Sequence, residues 1–138
     1  MSNTIFGKKA EIAICKWLRQ VHKIPSQVVT QYKAPFDILA NGYRVECKVS
    51  SYNKLPYGWG WSFNIHRHGI LNESQTDFYV LKLCNVPGFI YAIHLVVPAP
   101  IGIPVVIISL RSLLTRWGKY FNLLAPLRET KVVSRDSP

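Results

Sequence analysis

The stretch PFDILANGYRVECKVS, residues 35–50, limits the possible folds more than any other part of the chain. At its centre lies Asn41-Gly42. This dipeptide is the strongest short-range signal for a two-residue hairpin, because a type I′ turn needs two residues that tolerate positive φ. With that pair as the loop, Ala40 faces Tyr43, Leu39 faces Arg44, Ile38 faces Val45 and Asp37 faces Glu46. Alternation places Ile38, Ala40, Tyr43, Val45, Cys47 and Val49 on an apolar side fit for a core. Asp37, Glu46 and Lys48 fall on the other side.

That polar side is costly. Two directly opposed carboxylates about 5 Å apart repel by about 3 kcal/mol at an effective dielectric of about 20. The chain has only seven acids (Glu11, Asp37, Glu46, Glu73, Asp77, Glu129 and Asp136) against 17 Lys and Arg. Two readings follow. The side is a solvated face with an incidental salt bridge, or it is a divalent-cation site in which repulsion becomes coordination.

A length of 138 residues suits one domain with a real core. It is expected over 1–124, with 125–138 as a loose tail. A hydrophobic content of 49% excludes a disordered chain. The net charge of +10 points to a polyanion, nucleic acid before membrane. Its basic residues run from Lys8 to Arg135 with no long cluster, which describes a folded basic surface. Cys15, Cys47 and Cys84 lack CxxC spacing, so neither a disulfide framework nor a zinc site is expected, and a reducing cytosol is. The opening MSNTIFGKKAEIA lacks the apolar core of a signal peptide. Residues 89–110 are hydrophobic enough to resemble a membrane span, but Pro98, Pro100, Pro104, Gly102 and His94 interrupt them. They read as two buried strands joined by a Pro/Gly loop.

Periodicity predicts a helix over 5–22, with Ala10, Ile14, Trp17, Leu18 and Val21 on one stripe. Strands are predicted over 26–33, 36–40, 43–50, 77–83, 89–97 and 105–108. SYNKLPYGWGWSF reads as a loop, and Ser109 caps a final helix through Leu113, Leu114, Trp117 and Phe121. The fold class is α/β, a mixed central sheet of about five strands with flanking helices. GxGxxG, P-loop, HExxH and nucleophile-elbow motifs are all missing, so hydride transfer, NTP hydrolysis and triad chemistry lack their usual parts.

Asp37, eight intervening residues, then Glu46-Cys47-Lys48 on a hairpin, preceded by a helix bearing GKKAE, resembles the PD-(D/E)XK nuclease superfamily. The resemblance covers roughly residues 5–97. The segment WSFNIHRHGILNESQTDFYVLKL is similar to the part that follows the motif in Holliday-junction resolvases and in phage- or intron-encoded homing endonucleases. Phe36 separates Pro35 from Asp37, so the literal Pro-Asp pair is missing; the proline takes no part in the chemistry. The resemblance implies a restriction-endonuclease-like core and a Mg²⁺-dependent endonuclease acting on double-stranded or branched DNA, with Mn²⁺ able to substitute. It implies Asp37 and Glu46 as metal ligands, the Cys47 backbone carbonyl as a third, Lys48 beside the attacking water, and Glu11 as an outer or second-metal ligand. A site-specific enzyme is favoured over a junction resolvase, because residues 52–76 offer surface for base contacts. A non-catalytic DNA-binding domain is the alternative of another class.

His66, Arg67 and His68 read as a solvated loop or strand edge. Tyr52, Tyr57, Trp59 and Trp61, with Lys54 among them, read equally as a base-stacking surface or as a loop folded onto the core. Asp77 is a weaker ligand candidate, and Cys47 reads as core rather than nucleophile. A double-strand cut needs two sites, so a homodimer or higher homo-oligomer is expected, with the final helix as a candidate interface.

Overall fold

In a computed structural model of the chain, the structure describes residues 4–31, 34–65 and 75–131, with side chains from Gly7 onward. Helix α1 (Thr4–Lys16) runs on into one π-helical turn, Trp17–Val21. Ala10, Ile14 and Leu18 are buried as the stripe predicts and Cys15 joins them, but Trp17 is only half-buried and Val21 is exposed. The wider π turn breaks the 3.6 period at Trp17 and rotates Val21 off the buried face.

Among the described residues eight strands follow: β1 (Ser26–Val28), β2 (Ile38–Ala40), β3 (Tyr43–Ser51), β4 (Asn53–Leu55), β5 (Gly58–Asn64), β6 (Phe78–Cys84), β7 (Ile93–Pro98) and β8 (Val105–Ser109). Five form a mixed sheet in the order β1-β2-β3-β6-β7, where β3 and β6 run parallel and the other neighbours antiparallel. The hairpin has the predicted register, Ala40 to Tyr43, Leu39 to Arg44 and Ile38 to Val45. Asn41 and Gly42 sit at φ 51° and 88°, the backbone that a type I′ turn requires.

The sheet separates two cores. On one face Val45, Val80 and Val96 pack with Ile14 of α1 and Leu18 of the π-helical turn. On the other, Tyr79, Leu81, Leu83 and Leu95 pack against Trp61, Phe63, Val106 and Ile108. Those last four belong to a second sheet, β4-β5-β8; the sequence predicts the strand at 105–108 but reads the β4–β5 segment as a loop. Trp59, Trp61 and Phe63 do alternate along β5, but Gly58 and Gly60 between them hide the strand pattern. Gly60 pairs with Ser109, and a Cβ there would overlap the Ile108 carbonyl oxygen and lie 2.9 Å from the Ser109 Cα.

The end of the chain also departs from expectation. Ser109 caps a helix through a reciprocal capping box with Ser112, but α2 spans only Leu110–Leu114. A 3₁₀ turn, Gly118–Tyr120, follows. Leu113 and Trp117 cover the core, whereas Leu114 and Phe121 are exposed. Residues 125–131 are not loose. Helix α3 (Ala125–Arg128) buries Leu127 completely, the Leu127 carbonyl accepts from Asn41 Nδ2 at 3.0 Å, and the Lys131 N–H donates to the Asn41 carbonyl at 3.1 Å. The hairpin turn thus doubles as a docking point. Among the described residues no helix is long and apolar enough to cross a membrane.

Gly60→Ala should destabilise the protein by about 1–3 kcal/mol, because β5 or β8 must move to admit the methyl group. Urea unfolding measures this; an unchanged midpoint would contradict the close approach.

Candidate active site

Strand β3 is paired on one side with β6 from Val45 to Ser51. On its other side β2 accompanies it only as far as Val45. The expected pairing of Asp37 with Glu46 is not made. The Asp37 N–H donates to the Val45 carbonyl at 3.0 Å and the Asp37 carbonyl accepts from the Val29 N–H at 2.9 Å, which holds Asp37 just outside the ladder. Its carboxylate then takes the place of a partner strand, with Oδ2 accepting from the Cys47 N–H at 2.8 Å. In an extended strand the N–H and C=O of one residue point to the same side, so the Cys47 carbonyl also faces this open edge.

Glu46 is buried. Its Oε2 lies 3.2 Å from Lys48 Nζ, on the same face two residues along, and its Oε1 accepts from the Thr76 hydroxyl at 3.5 Å. The costly head-on repulsion is therefore relieved by separate partners: a backbone N–H for Asp37, an ammonium and a hydroxyl for Glu46. Thr76 was not legible in the sequence, because it comes to Glu46 only through the parallel pairing of β3 with β6.

Glu11 approaches from α1, on the Cys47 side of the sheet, with Lys8 Nζ 3.6 Å from its carboxylate. Burial pushes the Cys47 thiol well up, and the charges of Asp37, Glu11 and Glu46 push it further. Cys47 is thus a protonated, packed thiol and no nucleophile. The same shift shows that all three acids lie within electrostatic reach of one point on β3. Among the described residues no three His, Cys, Asp or Glu side chains form a ready-made metal cage. Two carboxylates and one carbonyl nevertheless suit Mg²⁺, which takes few protein ligands and keeps several waters.

Asp77 does something else. It accepts from the Arg44 N–H (2.8 Å), Arg44 Nε (3.2 Å), Arg44 Nη2 (3.0 Å) and Lys131 Nζ (2.8 Å). Burial alone would raise its carboxyl, but the hydrogen bonds from Arg44 and Lys131 outweigh that and hold it well below the usual carboxylate range. Asp77 clamps the start of β3 to the C-terminal segment and is not a ligand candidate. His66, Arg67 and His68 lie outside the described residues. Of the aromatic segment, Trp61 is core, with Nε1 donating to the Cys84 carbonyl at 2.9 Å. Trp59 is half exposed and stacks on Tyr52, and Tyr57 at the β4–β5 turn is 89% exposed.

No protein-family model and no curated protein matches the chain. Among solved structures, the bacterial homing endonuclease I-Ssp6803I superposes with a TM-score of 0.62 at 14% identity, over 88% of this chain and 89% of that one. The two chains share a fold. At that identity the likeness carries the architecture alone, including the mixed sheet whose β3 edge gathers Asp37, Glu46 and Lys48.

Asp77→Asn should cost about 1–3 kcal/mol at neutral pH, since it removes the partner of two part-buried cations. The depressed carboxyl stabilises the fold above its unfolded value of 3.8, and that contribution fades as pH falls below it. Denaturation of both proteins across pH 3–7 should show the gap closing only at the acid end; a constant gap would contradict the clamp.

Proposed function

We propose that this chain is a Mg²⁺-dependent DNA endonuclease of PD-(D/E)XK type that cuts at specific sites, with Mn²⁺ able to replace Mg²⁺. The observation that carries this reading is the meeting of Asp37, the Cys47 peptide, Glu46 and Lys48 at one open strand edge. The shared fold with a homing endonuclease supports it. The net charge of +10 suits a DNA partner.

Asp37, Glu46 and the Cys47 carbonyl would hold the ion, with Glu11 in an outer position. Bound there, Mg²⁺ supplies the activation of water, the clamp on phosphate charge and the neutralisation of the leaving oxygen that phosphodiester hydrolysis needs. Asp37 is fixed for this role by backbone bonds to Val29, just past β1, and to Val45 of β3. Lys48, as an ammonium, would orient the attacking water and stabilise the charge growing on the phosphorane. Its contact with Glu46 keeps the ammonium beside the site before DNA arrives. The exposed Lys54, Tyr57 and Trp59 on the β4–β5 hairpin favour a site-specific enzyme over a junction resolvase, since a two-stranded ribbon fits the major groove.

Glu46→Gln and Asp37→Asn should each lower Mg²⁺-dependent cleavage roughly 100-fold or more while DNA binding in EDTA is kept or improved. Lys48→Ala should lose cleavage and still bind metal, because lysine is no ligand. Paired cleavage and gel-shift assays read both effects. Wild-type cutting by purified Glu46→Gln protein would overturn the assignment.

Several Lys and Arg contacts release counterions, so affinity for duplex DNA should fall steeply, by roughly 10³-fold or more, between about 50 and 200 mM salt. Binding that ignores salt would contradict the polyanion reading.

A further inference from the structure

Away from the β3 edge, an apolar groove of about 760 Å³ opens between the π-helical turn after α1, the β6–β7 connection and α2. The buried Val86 and Leu113 line it together with Val21, Phe89, Tyr91 and Leu114. The last four, with the neighbouring Ile90, are between 62% and 93% exposed. Phe89, Ile90 and Tyr91 are consecutive and project from the β6–β7 connection beside the groove that two of them help to line.

We propose that this groove is the interface with a second copy of the chain. A large side chain presents about 150–250 Å² when free, so these residues with Phe121 leave roughly 700 Å² of apolar surface in water. A monomer rarely leaves so large an apolar patch bare, and the area approaches the roughly 800 Å² per partner of a stable interface. One molecule supplies both a concave and a projecting surface side by side. A two-fold axis therefore lets each copy seat its Phe89-Ile90-Tyr91 loop in the groove of the other.

Charge decides against a polyanion here. Among the described residues lining the groove, Lys82 and His94 are the only ones able to carry a positive charge. Burial, then the nearby Lys82 and His22, lower His94 to about 4, so it is neutral at physiological pH; its ring stacks on Trp17 with centroids 4.1 Å apart. DNA would need more than one cation on this face. A pair of copies also answers a demand of the nuclease reading, on which this point alone rests: one set of site residues per chain, two strands to cut.

The test is light scattering on the full chain without DNA at micromolar concentration. The wild type should give at least twice the 15.8 kDa mass of one chain. The double variant Ile90→Asp/Tyr91→Asp should weaken association roughly 30-fold or more and shift the protein to monomer. Both side chains are largely exposed in the single chain, so circular dichroism and melting should stay close to wild type. Tyr57→Asp, equally exposed but outside the groove, should leave the mass unchanged. A wild-type monomer overturns the proposal, whether the groove then takes another protein or an apolar ligand. A double variant that remains dimeric overturns it too. Mass is read without cleavage, so a dimer with no nuclease activity would uphold the groove while sinking the nuclease reading.

Discussion

The hydrogen bond from the Cys47 N–H to the Asp37 carboxylate joins the fold to the site. Strand β3 lies inside a five-stranded sheet, where an unpaired backbone donor is costly. Its β2 partner gives out at Val45, and a carboxylate supplies the missing acceptor two residues on. An anionic side chain is thereby fixed beside Glu46 and the Cys47 carbonyl by a bond the sheet itself requires. The proposed cation site is a strand edge left open on one side and closed by an acid.

The distribution of the few acids follows the same economy. Asp77 spends its charge on Arg44 and Lys131, tying the start of β3 to the segment after α3. That clamp steadies the strand at Arg44, immediately before the residues proposed to hold the ion. Glu46 and Asp37 instead meet Lys48, the Thr76 hydroxyl and the Cys47 N–H at the β3 edge.

Much of this was legible at the hairpin, because Asn41-Gly42 dictates both a turn type and a register. The side-chain faces of β3 followed from alternation, and so did the meeting of Glu46 with Lys48. The opposition of Asp37 to Glu46 did not follow, because nothing in the local sequence shows that Val29 and Val45 capture the Asp37 backbone one residue before the pair. The β4–β5 hairpin was missed because glycine at two alternate positions removes the polar half of a strand pattern while permitting the close approach of β8. The final helix was overread from its apolar spacing, since Leu113 and Trp117 are buried on opposite sides of a break at Thr115. Residues 125–131 looked loose for want of an apolar run; they are held by polar contacts to a turn more than 80 residues earlier.

The β3 edge is proposed to make this chain a metal-dependent nuclease. The most direct measurement is incubation of the purified protein with plasmid, linear duplex and a four-way junction, each with Mg²⁺ and with EDTA. The expected result is discrete cuts in plasmid and linear duplex with Mg²⁺, none in EDTA, and no preference for the junction. Failure to cut any of the three with Mg²⁺, or equal cutting in EDTA, would contradict it.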